Sequence, residues 1–378
     1  MSISRVSTET LSDSRGSETI SVCLTTEDGI RGCASVPQGK STGSFEAVSI
    51  PAGIAHEVIT EVVAPALIGK SFPTQKEFDT CLMELDGTPQ KEKLGANTIL
   101  ACSIAFARLS ADEKNISLSD YLRSQYTGKI GEGVPYLFMN MINGGAHATN
   151  NLAIQEYMLA LKANTIAEAY SLGVSVYEAL GKKLGDVGIG DEGGYMPDFD
   201  DDSAPLRLYT EVLDEMGVTI PFAIDAAGNE IDRSNEELHA LYVAMAKEFP
   251  LMYLEDPFRE DQFDAFQKLQ AVLPDTIVAG DDLTVTNIER SKTAKNNESV
   301  RGMIIKPNQI GSVSETLGMI AKAREWDWFV AVSHRSGETD DTFIADLAHA
   351  VGADAFKCGA PKQKERVVKY ERLIELFK

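Results

Sequence analysis

Three segments decide the fold that the sequence predicts, and they read PFAIDAAGNE (221–230), LMYLEDPFRE (251–260) and TIVAGDDLTVTN (276–287). In each segment a short apolar run stops at a carboxylate, which is Asp225, Glu255 or Asp281. The spacings of 30 and 26 residues suit one strand followed by one returning helix. Such units build parallel strands whose equivalent ends lie together, so the three carboxylates should converge. Three acidic ligands favour a hard divalent metal ion, most simply Mg²⁺.

The same pattern continues downstream, where GMII (302–305), FVAVS (329–333) and DAF (354–356) run into Lys306, His334 and Lys357. We therefore predict an α/β fold, an eight-stranded (β/α) TIM-like barrel, with the active site at the carboxyl ends of its strands. The alternative is that charged residues only mark where apolar strands meet water. That alternative is the better interpretation of any single position, but six positions in phase favour a site.

The N-terminal part has a different pattern. Residues Thr19–Glu27 and Ile30–Val36 alternate around Asp28-Gly29, which is typical of a hairpin. Helical patterns follow at Phe45–Val62, where the pattern is interrupted near Pro51, and at Gln75–Leu85 and Asn97–Glu113. Strands followed by helices predict a small α+β capping domain over residues 1–125. A Gly-rich linker (126–133) would then join it to the barrel, which should span residues 134–378.

Composition excludes several classes of partner. The chain of 378 residues carries a formal net charge of −22, which argues against binding to nucleic acid or to an acidic membrane. No apolar run approaches the ~20 residues of a membrane span, and no signal peptide follows Met1. The five cysteines are odd in number and form no C-x-x-C motif, so we expect them to be reduced and the protein to be cytoplasmic.

The segment ASVPQGKS (34–41) is close to a nucleotide-binding P-loop, with Ala34 in place of the first glycine. Such a loop requires a helix that begins at its lysine, and Gly43 and Pro51 follow too soon for one. We expect instead a mobile lid over residues 37–43 that carries Ser41 between possible glycine hinges.

Two further Gly-rich loops carry ionisable groups: MINGGAHATN (141–150) contains His147, and GIGDEGGYMP (188–197) contains Glu192. Gln155 and Glu156 follow the first loop, at the end of an apolar segment as we interpret the pattern. Each loop alone is more often an ordinary surface loop than a catalytic one.

Taken in order, these motifs resemble the enolase (phosphopyruvate hydratase) family over nearly the whole chain. The matching motifs are DSRG (13–16), STG (41–43), LDGT (85–88), LGANTIL (94–100), NGGAH (143–147), QE (155–156), GDEGG (190–194), Asp225, EDPF (255–258), DDLTVTN (281–287), Lys306 with NQIGS (308–312), SHRSGET (333–339), DTFIAD (341–346) and Lys357 with GAP (359–361). The resemblance implies a small capping domain over the barrel, interconversion of 2-phosphoglycerate and phosphoenolpyruvate, and a homodimer or higher homo-oligomer.

The resemblance also implies roles for single residues. Lys306 would be the base, with a pKa lowered by Mg²⁺ and Lys357, and Glu192 the general acid with Glu156 beside it. His334 would be a further catalytic residue, near the reacting carbon or carboxylate. A structural Mg²⁺ would be held by Asp225, Glu255 and Asp281, and a second Mg²⁺, which arrives with substrate, by Ser41. The substrate contacts would be His147, Gln155, Arg335, Ser336 and Lys357.

Two departures from the family pattern concern the lid and the capping domain. The lid is PQGKSTG where the family usually has PSGASTG, so Lys40 adds a charge beside Ser41. The segment after the lid is shortened to AVSIPAGIAH (47–56). Another enzyme of the superfamily and a non-catalytic enolase-like binding protein stay open as alternatives, although the residues implied for catalysis are all present.

Overall fold

The computed structural model describes residues 2–40 and 43–378. The N-terminal part holds a three-stranded antiparallel sheet in the order β1-β2-β3, followed by helices. The strands are β1 Ile3–Ser12, β2 Glu18–Thr26 and β3 Arg31–Ser35. The helices are α1 Ala52–Val58, a π-helical turn Ile59–Val63, α2 Ala64–Leu67, α3 Gln75–Asp86, α4 Ala96–Glu113 and α5 Leu118–Gln125.

The predicted hairpin forms β2 and β3, whereas β1 is a strand that the sequence pattern did not indicate. Its sequence, ISRVSTETLS, is largely polar and mostly exposed, so hydrophobic alternation is too weak to mark it. The sheet packs against α4, and Gly32 makes this approach possible. A Cβ atom at Gly32 would lie 2.1 Å from the carbonyl oxygen of Ala105, which no side chain could tolerate.

The helix predicted over Phe45–Val62 is wrong in its first part. Residues 45–51 are non-helical, and α1 begins only after Pro51. Tertiary hydrogen bonds replace the helical ones: the side chain of Asn97 accepts from the backbone N–H of Ile50 and donates to its carbonyl. The Ala47 N–H donates to the carbonyl of Gln309, which ties this segment to the barrel.

The C-terminal part is a closed eight-stranded barrel, with strand order β10-β11-β4-β5-β6-β7-β8-β9, which confirms the predicted fold class. Its strands are β4 Tyr136–Asn143, β5 Glu156–Leu161, β6 Phe222–Asp225, β7 Leu251–Glu255, β8 Ile277–Gly280, β9 Gly302–Ile305, β10 Phe329–Ser333 and β11 Ala355–Lys357. Its helices are α6 Ile166–Leu184, α7 Ala204–Met216, α8 Asn235–Glu248, α9 Phe263–Val272, α10 Ile288–Asn296, α11 Pro307–Ile310, α12 Val313–Glu325, α13 Phe343–Val351 and α14 Lys364–Leu376.

One barrel strand corrects the expected topology. β5 pairs antiparallel with both β4 and β6, while the other neighbouring pairs are parallel. We predicted that Glu156 ends an apolar segment. It is instead the first residue of a strand. Because β5 runs in the reverse direction, its start lies at the edge where the other strands end, and Glu156 is opposite Asp225.

The expectation that all cysteines are reduced is also wrong. Cys23 and Cys33 form a disulfide, whereas Cys81, Cys102 and Cys358 are free thiols. The two bonded residues lie directly opposite each other on β2 and β3, with their Cα atoms 4.1 Å apart. Each lies five residues from Asp28 in the hairpin turn, one before it and one after it. The predicted hairpin therefore already indicated that the two cysteines would face each other.

Ion pairs join the capping region to the barrel, and those of Arg108 and Glu46 are among them. Arg108 of α4 donates two hydrogen bonds to Asp341, and its Nη1 atom also donates to the carbonyl of Cys33. Glu46 accepts from the Arg335 guanidinium at 2.9 Å and 3.1 Å. Among the described residues, no helix is long and apolar enough to cross a membrane.

Candidate active site

The six predicted strand ends do converge at one rim of the barrel. Five of those residues line a single polar cleft, and the sixth, Glu255, contacts Lys357 of its lining. The cleft also contains the predicted loop residues. Its lining consists of Gly39, His147, Gln155, Glu156, Glu192, Asp225, Ala227, Asp256, Asp281, Asp282, Lys306, Ser333, His334, Arg335, Ser336 and Lys357.

Lys357 lies among three buried carboxylates. Its ammonium donates to Asp225 at 2.8 Å and to Glu255 at 3.0 Å, and it lies 3.3 Å from Glu156. Burial opposes the charge of Lys357, but these carboxylates outweigh it and raise its pKa well above the ordinary value. Lys357 is therefore a fixed cation beneath the cleft.

Lys306 pairs with Asp281. Burial lowers the pKa of Lys306, but the Asp281 carboxylate outweighs burial and raises that pKa above its ordinary value, whereas the predicted lowering depends on Mg²⁺. The free structure therefore holds Lys306 as an ammonium. The second oxygen of Asp281 accepts from the amide of Gln309 at 2.8 Å.

Two acidic residues that we did not single out lie beside Asp281. One oxygen from each of Asp256, Asp281 and Asp282 lies within 4.8 Å of the others. The Asp256 carboxylate, however, accepts from the backbone N–H groups of Asp281 and Asp282 at 2.9 Å and 2.6 Å. Asp256 thus orients the turn that carries Asp281. In the sequence, the acidic residue next to Glu255 in EDP and the one next to Asp281 in DD were the features that indicated these two further residues.

The predicted acidic pair is present. Oxygens of Glu156 and Glu192 lie within 4.8 Å of each other and of the His147 ring. Burial and the Glu192 carboxylate raise the pKa of Glu156 well above its ordinary value. Burial alone would raise the pKa of Glu192 as well, but His334 and His147 outweigh it and lower that pKa well below its ordinary value. The two carboxyl groups are thus close enough for the charge of one to oppose ionisation of the other.

His334 follows β10 and is buried beside Glu192, with Nε2 3.5 Å from Oε2 of that carboxylate. Burial is the largest cause that lowers the pKa of His334, to about 3, so its ring is neutral. Asn140 on β4 donates to the same Glu192 oxygen at 3.2 Å. Asn140 was not among the predicted residues, since an asparagine in an apolar strand has no distinctive pattern.

The predicted phosphate ligands have partners within the chain. Arg335 donates to Glu46, as described above, and to Asn308 Oδ1 at 2.9 Å. The hydroxyl of Ser336 accepts from the Lys40 backbone N–H at 2.9 Å. Gln155 is buried at the cleft wall, and its side-chain oxygen accepts no hydrogen bond from the described residues.

Lys40 joins the lid segment to both of the other loops. Its ammonium donates to Asp191 Oδ2 and to the carbonyl of Ala146, each at 2.8 Å. Ser41, the predicted ligand of a second metal ion, lies outside the described residues. After Gly43 the next described helix is α1, so the helix that a P-loop requires at Lys40 is not found in the described chain.

The residues present fit a divalent cation. Asp225, Glu255 and Asp281 are buried at three adjacent strand ends, and all their donor atoms are carboxylate oxygens. Burial, and after it the neighbouring Asp225 carboxylate, raises the pKa of Glu255 well above its ordinary value, and a cation between these carboxylates would oppose that shift. Here the trio is divided between Lys357 and Lys306.

Fold and cleft together define a two-domain barrel protein with a cluster of buried acidic and basic side chains at one rim. The family model "Enolase, C-terminal TIM barrel domain" matches residues 132–236 and 227–377, and "Enolase, N-terminal domain" matches residues 3–122. The chain therefore belongs to the enolase family, whose members are phosphopyruvate hydratases, a class of lyase.

Curated relatives agree with this assignment. The chain is 40% identical to an enolase of Acidothermus cellulolyticus over 396 residues, which covers 96% of this chain and 91% of the relative. It is 36% identical to the enolase of Mycobacteroides abscessus, with coverage of 99% and 94%. It is also 36% identical to the enolase of Saccharolobus solfataricus, with coverage of 99% and 95%.

Proposed function

We propose that the chain catalyses the reversible, Mg²⁺-dependent dehydration of 2-phosphoglycerate to phosphoenolpyruvate in glycolysis and gluconeogenesis. The observation that carries the proposal is that an amine, a pair of neighbouring buried carboxyl groups and three buried strand-end carboxylates lie in or next to one cleft. Family membership supports the reaction, and the geometry supports the assignment of roles.

Lys306 is the proposed base. Its Nζ atom would take the proton from the carbon next to the substrate carboxylate, leaving the electron pair on that carbon and its carboxylate. To do so, Lys306 must first leave Asp281 and lose its own proton, because an ammonium has no lone pair. General-base catalysis by a positioned side chain contributes roughly 10²–10⁴-fold to the rate.

Glu192 is the proposed acid. It would donate a proton to the hydroxyl group on the adjacent carbon, so that the C–O bond breaks, water leaves and a carbon–carbon double bond forms. Glu192 has to carry a proton before this step, and the Glu156 carboxyl group beside it is the neighbouring group that could supply one. His147, which lies next to both carboxylates, would cover the leaving group.

Arg335, Ser336, Gln155 and Lys357 are the proposed substrate contacts. The Arg335 guanidinium suits a phosphate because it can donate two parallel hydrogen bonds. Lys357 is buried and permanently charged, which suits the substrate carboxylate. For Arg335, substrate binding means exchange of the Glu46 carboxylate for a phosphate.

Asp225, Glu255 and Asp281 would hold Mg²⁺, which when bound would stabilise negative charge that develops on the substrate carboxylate. We further propose a second Mg²⁺ that arrives with substrate and uses Ser41. The proposal also covers domains, location and assembly. We propose a capping domain over residues 1–125 and a barrel over residues 134–378. We further propose a cytoplasmic location and a homodimer or higher homo-oligomer.

The test is formation of phosphoenolpyruvate from 2-phosphoglycerate, followed by ultraviolet absorbance, with Mg²⁺ and with a chelator. We expect turnover that the chelator abolishes and that added Mg²⁺ restores. Absence of turnover in a folded protein that binds Mg²⁺ would refute the proposal in favour of another carboxylate substrate or a non-catalytic binding role. Turnover unaffected by the chelator would refute the metal dependence.

A further inference from the structure

Arg366 on α14 is a fully buried guanidinium whose acceptors are all neutral. Nη1 donates to the carbonyl of Arg335 at 2.6 Å and Nη2 to the carbonyl of Ser336 at 2.7 Å. The Nη1 atom also lies 2.5 Å from Nδ1 of His334. In the described ranges no carboxylate oxygen comes within ion-pair distance of Arg366. Burial of a cation without an anionic partner costs free energy because the charge loses its hydration. The position of Arg366 therefore requires an explanation.

The contact with His334 determines where the proton of that imidazole lies. A guanidinium has only donors and does not lose its proton in proteins, so Nδ1 must accept. Since the ring is neutral, its single proton then lies on Nε2. That nitrogen has no other partner in the described chain, and it lies 3.5 Å from Oε2 of Glu192.

We propose that Arg366 is a positioning residue that locks His334 in the Nε2–H tautomer and so makes the imidazole a donor to Glu192. The lock removes two other roles from His334. Nε2 cannot accept a proton because it already carries one, and Nδ1 cannot accept one because the guanidinium occupies its lone pair. His334 is then a one-way hydrogen-bond donor.

The consequence for the reaction, which rests on the proposed function, lies in the proton-donating half of the site. Once Glu192 has given up its proton, its carboxylate receives the His334 N–H together with the Asn140 amide. The charge of Arg366 polarises the imidazole from the far side and strengthens that N–H as a donor. The present 3.5 Å separation is longer than a good hydrogen bond, and such contacts tighten when substrate binds.

The first test needs no variant of Arg366. Nitrogen-15 NMR of the full-length protein labelled at histidine distinguishes the two neutral tautomers, and the His334→Gln variant assigns the His334 signals among the five histidines. We expect a protonated Nε2 and an unprotonated Nδ1 at neutral pH. A proton on Nδ1, or a charged ring, would overturn the proposal whether or not the protein turns over 2-phosphoglycerate.

The second test compares Arg366→Met with Arg366→Lys and with a matched control, Lys369→Met. Lys369 is a second buried cation on the same helix, but its contacts are Thr339, Glu365 and Glu338 rather than His334. In Arg366→Met, His334 should no longer be held in the Nε2–H tautomer. The variant should lower kcat by roughly 10–100-fold, the usual cost of removing an orienting partner, and should change KM less. Arg366→Lys should restore part of kcat, because its ammonium can still donate to Nδ1.

The control separates positioning from packing. Lys369→Met should lower the unfolding midpoint but leave the His334 tautomer as in the parent protein. Equal losses of kcat in Lys369→Met and Arg366→Met, with the tautomer unchanged in both, would show that Arg366 acts only through folding and would overturn the inference. If Arg366→Met fails to fold, the native NMR spectrum and Arg366→Lys still decide.

Discussion

The ion pair between Lys40 and Asp191 allows a quantitative test of how the loops above the cleft are held. Lys40 stands where the family usually has alanine, and its ammonium bonds to one residue next to Glu192 and one next to His147. We predict that Lys40→Ala lowers kcat/KM, because both loops lose a common anchor. Asp191→Ala should lower it as well, and the double variant by less than the product of the two effects.

The magnitude follows from distance and exposure. Two unit charges 2.8 Å apart attract by about 1.5 kcal/mol in a medium with the dielectric constant of water. The two side chains are 47% and 30% exposed, so ordering of the lysine and screening reduce this value. Measured exposed pairs lie at about 0.2–1 kcal/mol. We therefore expect a coupling of about 0.5–1 kcal/mol, or roughly two- to fivefold in kcat/KM.

The assay is a double-mutant cycle on kcat/KM at low salt and again at about 1 M salt, where the Debye length falls to roughly 3 Å. Lys129→Ala serves as a control, since Lys129 is an exposed lysine near the start of β8 and β10, at the opposite end of the barrel. A coupling indistinguishable from zero at low salt would refute the reasoning. So would an equal loss in Lys129→Ala, which would trace the effect to net charge alone.

Three further predictions concern the base, the metal and the pH dependence of stability. Lys306→Ala should lower kcat by at least ~10²-fold while the protein stays folded by circular dichroism, and full turnover would remove Lys306 as the base. Asp281→Asn should weaken Mg²⁺ binding roughly tenfold or more by calorimetry, since affinity follows ligand charge, and unchanged affinity would contradict its role as a ligand. Burial raises the pKa of Asp79 to about 6 from 3.8, against the opposing hydrogen bonds of Ser103 and Ser314. Its contribution to stability is therefore complete below about pH 4 and lost as the pH rises through about 6, a loss of about 3 kcal/mol. Asp79→Asn should flatten this part of the pH dependence in urea unfolding, and parallel curves for variant and parent would contradict the assignment.

The barrel and its rim could be predicted because their signals are local. An apolar run that stops at Asp225 or Lys306 marks both a strand and its end. The direction of β5 could not be predicted in the same way, because a buried strand has the same apolar sequence whether it runs parallel or antiparallel. The error at Glu156 follows from this: the residue lines the cleft, but from the start of its strand rather than from the end.

The hydrogen-bond and ion-pair partners of the long side chains could not be predicted from the sequence. Arg335 was predicted to meet phosphate, yet its bond to Glu46 depends on how the segment after the lid folds, and that segment had been predicted as helical. Arg366 did leave a signal that was overlooked. It lies with Lys369, Tyr370 and Leu373 at helical spacing on the buried face of α14, where a charged residue is exceptional.

The pairing of Lys306, Lys357 and Arg335 with carboxylates of the same chain has a thermodynamic consequence. Each cation proposed to meet the substrate already neutralises an anion, and two of the three pairs, those of Lys306 and Lys357, use carboxylates proposed to meet the metal. Either ligand alone would leave buried charges of one sign without partners, whereas both together complete an exchange. We therefore expect the metal ion and the anionic substrate to bind cooperatively. Each should bind more tightly in the presence of the other, and the two affinities should rise by the same factor.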